Sequence, residues 1–234
     1  MIKGKKETFF EYPALPFFRM SSHKNFLFNL LNDPHPATMA HFPRSPELLS
    51  AATSRLLIVD MQERFAPVIP DFPLLVAGCR CLVQGARLLS IPVSCTEQYP
   101  QGLGSTVPEL AELIPHRQDK LRFSCAECLE WSSEGGVPDG RHQVVLAGIE
   151  THVCISQTAM DLMTAGFDVY VVADLTRSQQ SVHHEYALRR MADSGVRLIT
   201  SQMALFEWCE VAGTPEFKRI SHLVREKERN FPAR

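Results

Sequence analysis

Three residues of the chain, Asp60, Lys120 and Cys154, have the types and placement for thiol chemistry. A cysteine nucleophile needs a group to take its proton and a field that holds the thiolate. A carboxylate can be that base, and an ammonium can supply the field. Cys154 lies six residues after Gly148 in L-A-G-I-E-T-H-V-C-I-S-Q-T, at the start of an amphipathic stretch that runs to Ala165. The apolar run ending at Gly148 reads as a buried strand, followed by a tight turn and a helix. This places Cys154 in the first turn of that helix, where free N–H groups and the helix dipole favour a thiolate. Each residue also has a bland reading. Cys154 can be a buried structural thiol, Asp60 a strand-end turn residue and Lys120 a solvated edge-strand lysine.

The elements that must position these residues follow from hydrophobic patterning. Residues 55–60, R-L-L-I-V-D, form a continuous apolar run ending in Asp60, as expected of a parallel strand buried on both faces. Residues 72–89 carry helical spacing and 92–96 read as the next strand. Residues 99–105, with Pro100, Gly102 and Gly104, read as a loop, and 108–114 as a short helix. A short strand is expected over 120–123, a helical turn or two over 125–131, and a turn over 135–140. The central strand falls at 143–148 and its helix at 153–165, closed by Gly166. A further strand (168–173), helix (182–194) and strand (196–200) precede terminal helices at 204–209 and 215–226. Strands alternating with helices predict a three-layer α/β/α domain around a mostly parallel, Rossmann-like sheet of about six strands. Sites in such sheets form outside the carboxyl ends of the strands. No Gly-x-Gly-x-x-Gly follows a strand, which disfavours a dinucleotide fold.

The domain is expected over residues 46–228. It is preceded by a poorly ordered extension, 1–45, with clustered prolines and no period, and followed by a frayed tail, 229–234. The phenylalanine pairs Phe9-Phe10 and Phe17-Phe18 give the extension an alternative as a docking segment, but dispensability is the expectation. Net charge is −2, so no nucleic-acid or acidic-lipid partner is expected, and no apolar run approaches bilayer length. The seven cysteines are odd in number and the chain is not short, so no disulfide framework is expected, which fits reduced thiols in the cytoplasm. Cys125-Ala-Glu-Cys128 is a lone pair without partners for zinc, and a weak redox motif.

The chain resembles the isochorismatase-like cysteine hydrolases, a family that includes nicotinamidases and N-carbamoylsarcosine amidases. The likeness rests on L-L-I-V-D-M-Q, D-K-L-R-F-S and G-I-E-T-H-V-C, and extends over about residues 54–202. T-E-Q-Y-P-Q-G-L-G and the stretch near Ser178 bring it nearer to the isochorismatase-domain proteins of poorly assigned function. The resemblance implies Asp60 as catalytic acid/base, Lys120 as its charged partner and Cys154 as nucleophile. It implies a cis peptide between Ile149 and Glu150, with the backbone N–H groups of Glu150 and Cys154 forming an oxyanion hole. It further implies a small-molecule substrate and a homo-oligomer. Where nicotinamidases carry a metal-binding Asp-x-His, this chain has C-T-E-Q-Y, so no metal and no cofactor are expected. Phe65, Glu97, Phe123 and Arg177, with Arg122, are candidate substrate contacts. The expected activity is metal-independent hydrolysis of a small amide- or ureide-like C–N bond. The alternatives are a catalytically silent binding or assembly protein and a thiol-redox protein.

Overall fold

The computed structural model describes residues 43–129, 131 and 139–230. The expectations for the amino-terminal extension, for most of the 135–140 turn and for the end of the tail lie outside the described residues.

Six strands form one parallel sheet in the order β3-β2-β1-β4-β5-β6. They are β1 (Ser54–Val59), β2 (Val93–Gln98), β3 (Gln118–Lys120), β4 (Gln143–Ile149), β5 (Asp168–Arg177) and β6 (Arg197–Ile199). Every residue of β1 and of β4 is buried, so both faces of these central strands are covered. Alternation divides their side chains between two apolar layers. Leu56, Ile58, Val145 and Ala147 face α1 (Phe72–Leu88), and the same layer holds residues of α6 (Ser201–Cys209) and α7 (Pro215–Asn230). Leu57, Val59, Val144 and Leu146 face the other way, with α4 (Ser156–Thr164) and Met191 of α5 (Ser181–Asp193). Two short helices, α2 (Pro100–Leu103) and α3 (Pro108–Ala111), lie between β2 and β3 in the chain. This is the expected three-layer α/β/α architecture, set by apolar runs long enough for a strand and amphipathic stretches long enough for a helix.

The departures are local. The expected loop at 99–105 contains α2, because Tyr99 takes a left-handed conformation (φ 38°) and Pro100 starts a helical turn behind it. The strand expected over 120–123 is displaced to β3, which ends at Lys120. Beyond it the chain curls, since Lys120 Nζ donates to the carbonyls of Arg122 and Phe123 (3.3 and 2.9 Å). The stretch after β4 opens as a π turn over Thr151–Ile155 before α4 begins, so Cys154 does not lie in a regular first helical turn.

Gly148 explains how β4 delivers that turn. Its φ is +120°, and a Cβ built there would lie 2.2 Å from the Val59 carbonyl oxygen. Only glycine allows both the conformation and the close approach of β4 to β1. The ladder with β5 shifts register at the same place, between Leu146 and Gly148. The irregularity sits at the carboxyl end of the sheet, beside the turn that holds the cysteine.

Candidate active site

The site assembles at the carboxyl ends of β1 to β4, at the point where the strand order changes direction between β1 and β4. Asp60 follows β1 with φ +52°, a left-handed conformation that aspartate tolerates better than most residues. Its side chain is 1% exposed. Oδ1 accepts from Thr96 Oγ1 at 2.9 Å, and Oδ2 lies 2.8 Å from Lys120 Nζ. The pairing with Thr96 follows from register, because Thr96 stands opposite Val59 in the β1–β2 ladder. The Oδ2–Nζ approach is close in distance but outside good hydrogen-bond angles, and Oδ2 has no other partner among the described residues. Close distance is what an ion pair needs, so the contact is electrostatic first, and a lone pair of Oδ2 is left open to a proton.

Lys120 is buried, with its side chain 3% exposed, and is held by oxygen atoms on several sides. Gln98 Oε1 accepts from Nζ at 2.6 Å and the Phe123 carbonyl at 2.9 Å. Cys154 Sγ lies 3.5 Å from the same nitrogen. Burial pulls the lysine pKa down, and the Asp60 carboxylate leads the groups that together pull it up by more, so the ammonium stays charged. The three residues singled out by type and spacing therefore meet around one nitrogen.

Cys154 is 6% exposed. Val153 and Ile155, the residues flanking it, donate their N–H groups to the Glu150 carbonyl at 3.1 and 3.2 Å, which closes the turn. The Ile149–Glu150 peptide is cis, as the resemblance implied. One expectation is corrected. Helix start and lysine were expected to lower the thiol pKa of Cys154, but burial and the Asp60 carboxylate push it up, and Lys120 offsets only part of this. The resting group is a thiol. A second buried thiol, Cys125, sits beside it, with Sγ 3.4 Å from Thr96 Oγ1 and its backbone N–H donating to Thr158 Oγ1 at 2.9 Å. Burial and Asp60 push this thiol up to about 12.

The outlying candidates fall in different places. Glu97 is corrected as a substrate contact. Its Oε1 accepts from the Thr106 N–H (2.7 Å), the Thr106 hydroxyl (2.7 Å) and Arg117 Nε (3.0 Å). Strand alternation turns Thr96 and Gln98 toward the site and Glu97 away from it. Arg177 ends β5 beside Ile149, and its guanidinium is engaged with the carbonyls of Asp174 and Thr176 (3.2 and 2.7 Å). Phe65 is half-buried and packs against the α1-side core. Phe123 supplies its carbonyl to Lys120, while its ring is exposed and lines, with Arg122, a cavity of about 450 Å³ between the 121–124 loop and α4. The sequence reading passed over Thr96, Gln98 and Gln62, which buttress the acid and the lysine. Their signal was faint, because a polar residue in a strand ordinarily reads as surface.

Metal binding does not fit this donor set. No group of three His, Cys, Asp or Glu residues converges among the described residues. At the stretch corresponding to Asp-x-His, the Gln98 oxygen is occupied by Lys120 and Glu97 faces away. All seven cysteines are free. Among the described residues no helix is long and apolar enough to cross a membrane.

A six-stranded parallel sheet with helices on both faces is the α/β fold of the isochorismatase-like proteins. The chain belongs to the isochorismatase-domain family, whose model matches residues 54–203. It is similar to isochorismatase domain-containing protein 1 of Danio rerio, with 42% identity over 181 residues covering 76% of this chain and 62% of that protein. The chain thus spans less than two thirds of that relative's length. Mouse isochorismatase domain-containing protein 2A is 40% identical over 177 residues, covering 74% of this chain and 84% of the relative. Among solved structures, the MAR1 ribonuclease of Caenorhabditis elegans superposes with a TM-score of 0.70 at 35% identity, covering 76% of this chain and 92% of that one.

Proposed function

We propose that the protein is a metal-independent cysteine hydrolase that cleaves a C–N bond in a small amide or ureide. The observation that carries this reading is the convergence of Asp60 Oδ2 and Cys154 Sγ on Lys120 Nζ, at 2.8 and 3.5 Å. Because the resting cysteine is a thiol, proton transfer accompanies attack. Asp60 takes the thiol proton as Sγ bonds to the carbonyl carbon, and Lys120 balances the negative charge that moves between oxygen and sulfur. The carbonyl oxygen gains the electron pair and is held by the backbone N–H groups of Glu150 and Cys154. Collapse of the tetrahedral adduct breaks the C–N bond, and Asp60 returns its proton to the departing nitrogen. Asp60 then draws a proton from water as that water attacks the thioester, and the released sulfur is reprotonated.

A small substrate suits a nucleophile that is 6% exposed. The cavity beside Phe123 and Arg122 is the candidate approach. The free cysteines suit a reducing compartment such as the cytoplasm. Assembly as a homo-oligomer is part of the proposal, and light scattering measures it.

The test is a panel of small amides and ureides, with a short RNA included because one structural relative carries the name ribonuclease. Wild type and Cys154→Ser are compared before and after exhaustive chelation. Turnover of an amide or ureide that is lost in Cys154→Ser and survives chelation is expected, with an acyl adduct on Cys154 visible by mass spectrometry. Turnover that persists in Cys154→Ser, or that disappears with the metal, sinks the reading.

A further inference from the structure

Among the described residues, Gln98 is the one uncharged side chain that hydrogen-bonds both the lysine and the sulfur. It closes β2 and stands directly opposite Lys120 in the β2–β3 ladder. Its amide is clamped. Gln62 Oε1 accepts from the Gln98 N–H at 2.9 Å, and Gln62 Nε2 donates to the Gln98 carbonyl at 3.0 Å. At the far end, Gln98 Nε2 donates to the Leu121 carbonyl at 2.8 Å, and Oε1 accepts from Lys120 Nζ at 2.6 Å. The reverse orientation would set an NH2 group against an ammonium and an amide oxygen against a carbonyl. The network therefore fixes Oε1 toward the site.

That orientation matters because an ammonium has three protons. Among the described residues, Lys120 Nζ donates to three oxygens, Gln98 Oε1 at 2.6 Å, the Phe123 carbonyl at 2.9 Å and the Arg122 carbonyl at 3.3 Å, with Asp60 Oδ2 at 2.8 Å as its ion-pair partner. Cys154 Sγ, at 3.5 Å, is left with a long contact. The same Gln98 oxygen lies 4.0 Å from Sγ, within reach of the S–H as a weak acceptor. Both contacts favour sulfur with its proton on.

We propose that Gln98 is a positioning residue that regulates the nucleophile: its oxygen holds one Lys120 proton away from Cys154 at rest and surrenders it as the thiolate forms. This rests on the Asp60–Lys120–Cys154 reading and adds to it the group that keeps the cysteine protonated between turnovers. Gln98→Met keeps the length of the side chain and removes the acceptor, so lysine charge is freed for the sulfur. Gln98→Glu is close to isosteric and brings a second negative charge to the same place.

The test needs no substrate. Iodoacetamide alkylation of Cys154 in folded full-length protein is followed by peptide mass spectrometry at about pH 8.5, where the rate follows the thiolate fraction. Gln98→Met should react about tenfold faster than wild type, the effect of freeing one lysine proton for the sulfur, and Gln98→Glu about tenfold slower, the effect of a like charge within a few ångströms. Packing damage alone would move both rates in one direction. Rates that move together, or that both stay at the wild-type value while Asp60→Asn changes, overturn the role of Gln98 and leave the triad standing. If Asp60→Asn also leaves the rate unchanged, Asp60 does not sense the sulfur, and both the proposal and the triad fall. Should Gln98→Met fail to fold, the slower rate of Gln98→Glu remains the deciding measurement.

Discussion

At the scale of residues, the site sets two demands on Asp60 that pull against each other. As a carboxylate beside Cys154 it disfavours the thiolate, and as a base it must accept the thiol proton during attack. Replacing it separates the two. In Asp60→Asn the negative charge is gone while Lys120 remains, so the thiolate becomes easier to form and alkylation of Cys154 should accelerate. Hydrolysis of any substrate identified should fall at the same time by about 10²–10⁴, the usual contribution of a positioned base. A variant that loses reactivity toward alkylation and hydrolysis together would show instead that Asp60 only maintains the local fold. Buried Thr96 belongs to the same account, since its hydroxyl donates to Asp60 Oδ1 and leaves Oδ2 as the open oxygen.

At the scale of elements, the β4 bend and the turn behind it set the position of the nucleophile. Gly148→Ala would place a methyl against the Val59 backbone and force a positive φ on an L-residue. Neither neighbour can yield cheaply, because both lie in fully buried central strands. A loss of at least about 2 kcal/mol is expected in urea or guanidinium unfolding, from strain and overpacking combined. A loss under about half a kcal/mol would show that β4 can lift away from β1. The strand and helix order was legible in the sequence because apolar runs and amphipathic stretches alternate cleanly from residue 54 onward. Asp60, Lys120 and Cys154 were picked out together by the resemblance that L-L-I-V-D-M-Q, D-K-L-R-F-S and G-I-E-T-H-V-C carry, since each alone also had a bland reading. Glu97 was picked and Gln98 passed over for one reason: a one-residue step in a strand reverses the face, and nothing local says which of two polar neighbours looks inward. The protonation state of Cys154 was beyond reading, since it depends on burial and on a carboxylate 94 positions earlier in the chain.

At the scale of the molecule, the buried thiols tie stability to alkaline pH. Burial raises Cys81 to about 11 and Cys95 and Cys125 to about 12, against an ordinary value of 9.0. Between these values the unfolded chain has lost protons that the folded chain keeps. Stability is therefore full below about pH 9 and declines as pH rises toward 12, by up to about 1.4 kcal/mol per pH unit for each such thiol. Urea midpoints measured under reducing conditions at neutral and alkaline pH should show the decline, and a flat profile would show that water reaches these sulfurs. The strand order has a separate consequence. β1, β2 and β3 lie on one side of the boundary within the sheet, and β4, β5 and β6 on the other. Asp60 and Lys120 arrive with the first block, and Cys154 with the second. Neither block can build the site alone, so the chemistry of Cys154 is a built-in reporter of docking between the two halves. In refolding stopped by brief alkylation, its protection should appear only when β4 has found its register on β1. Two co-expressed fragments divided between β3 and β4 should regain that protection only on pairing.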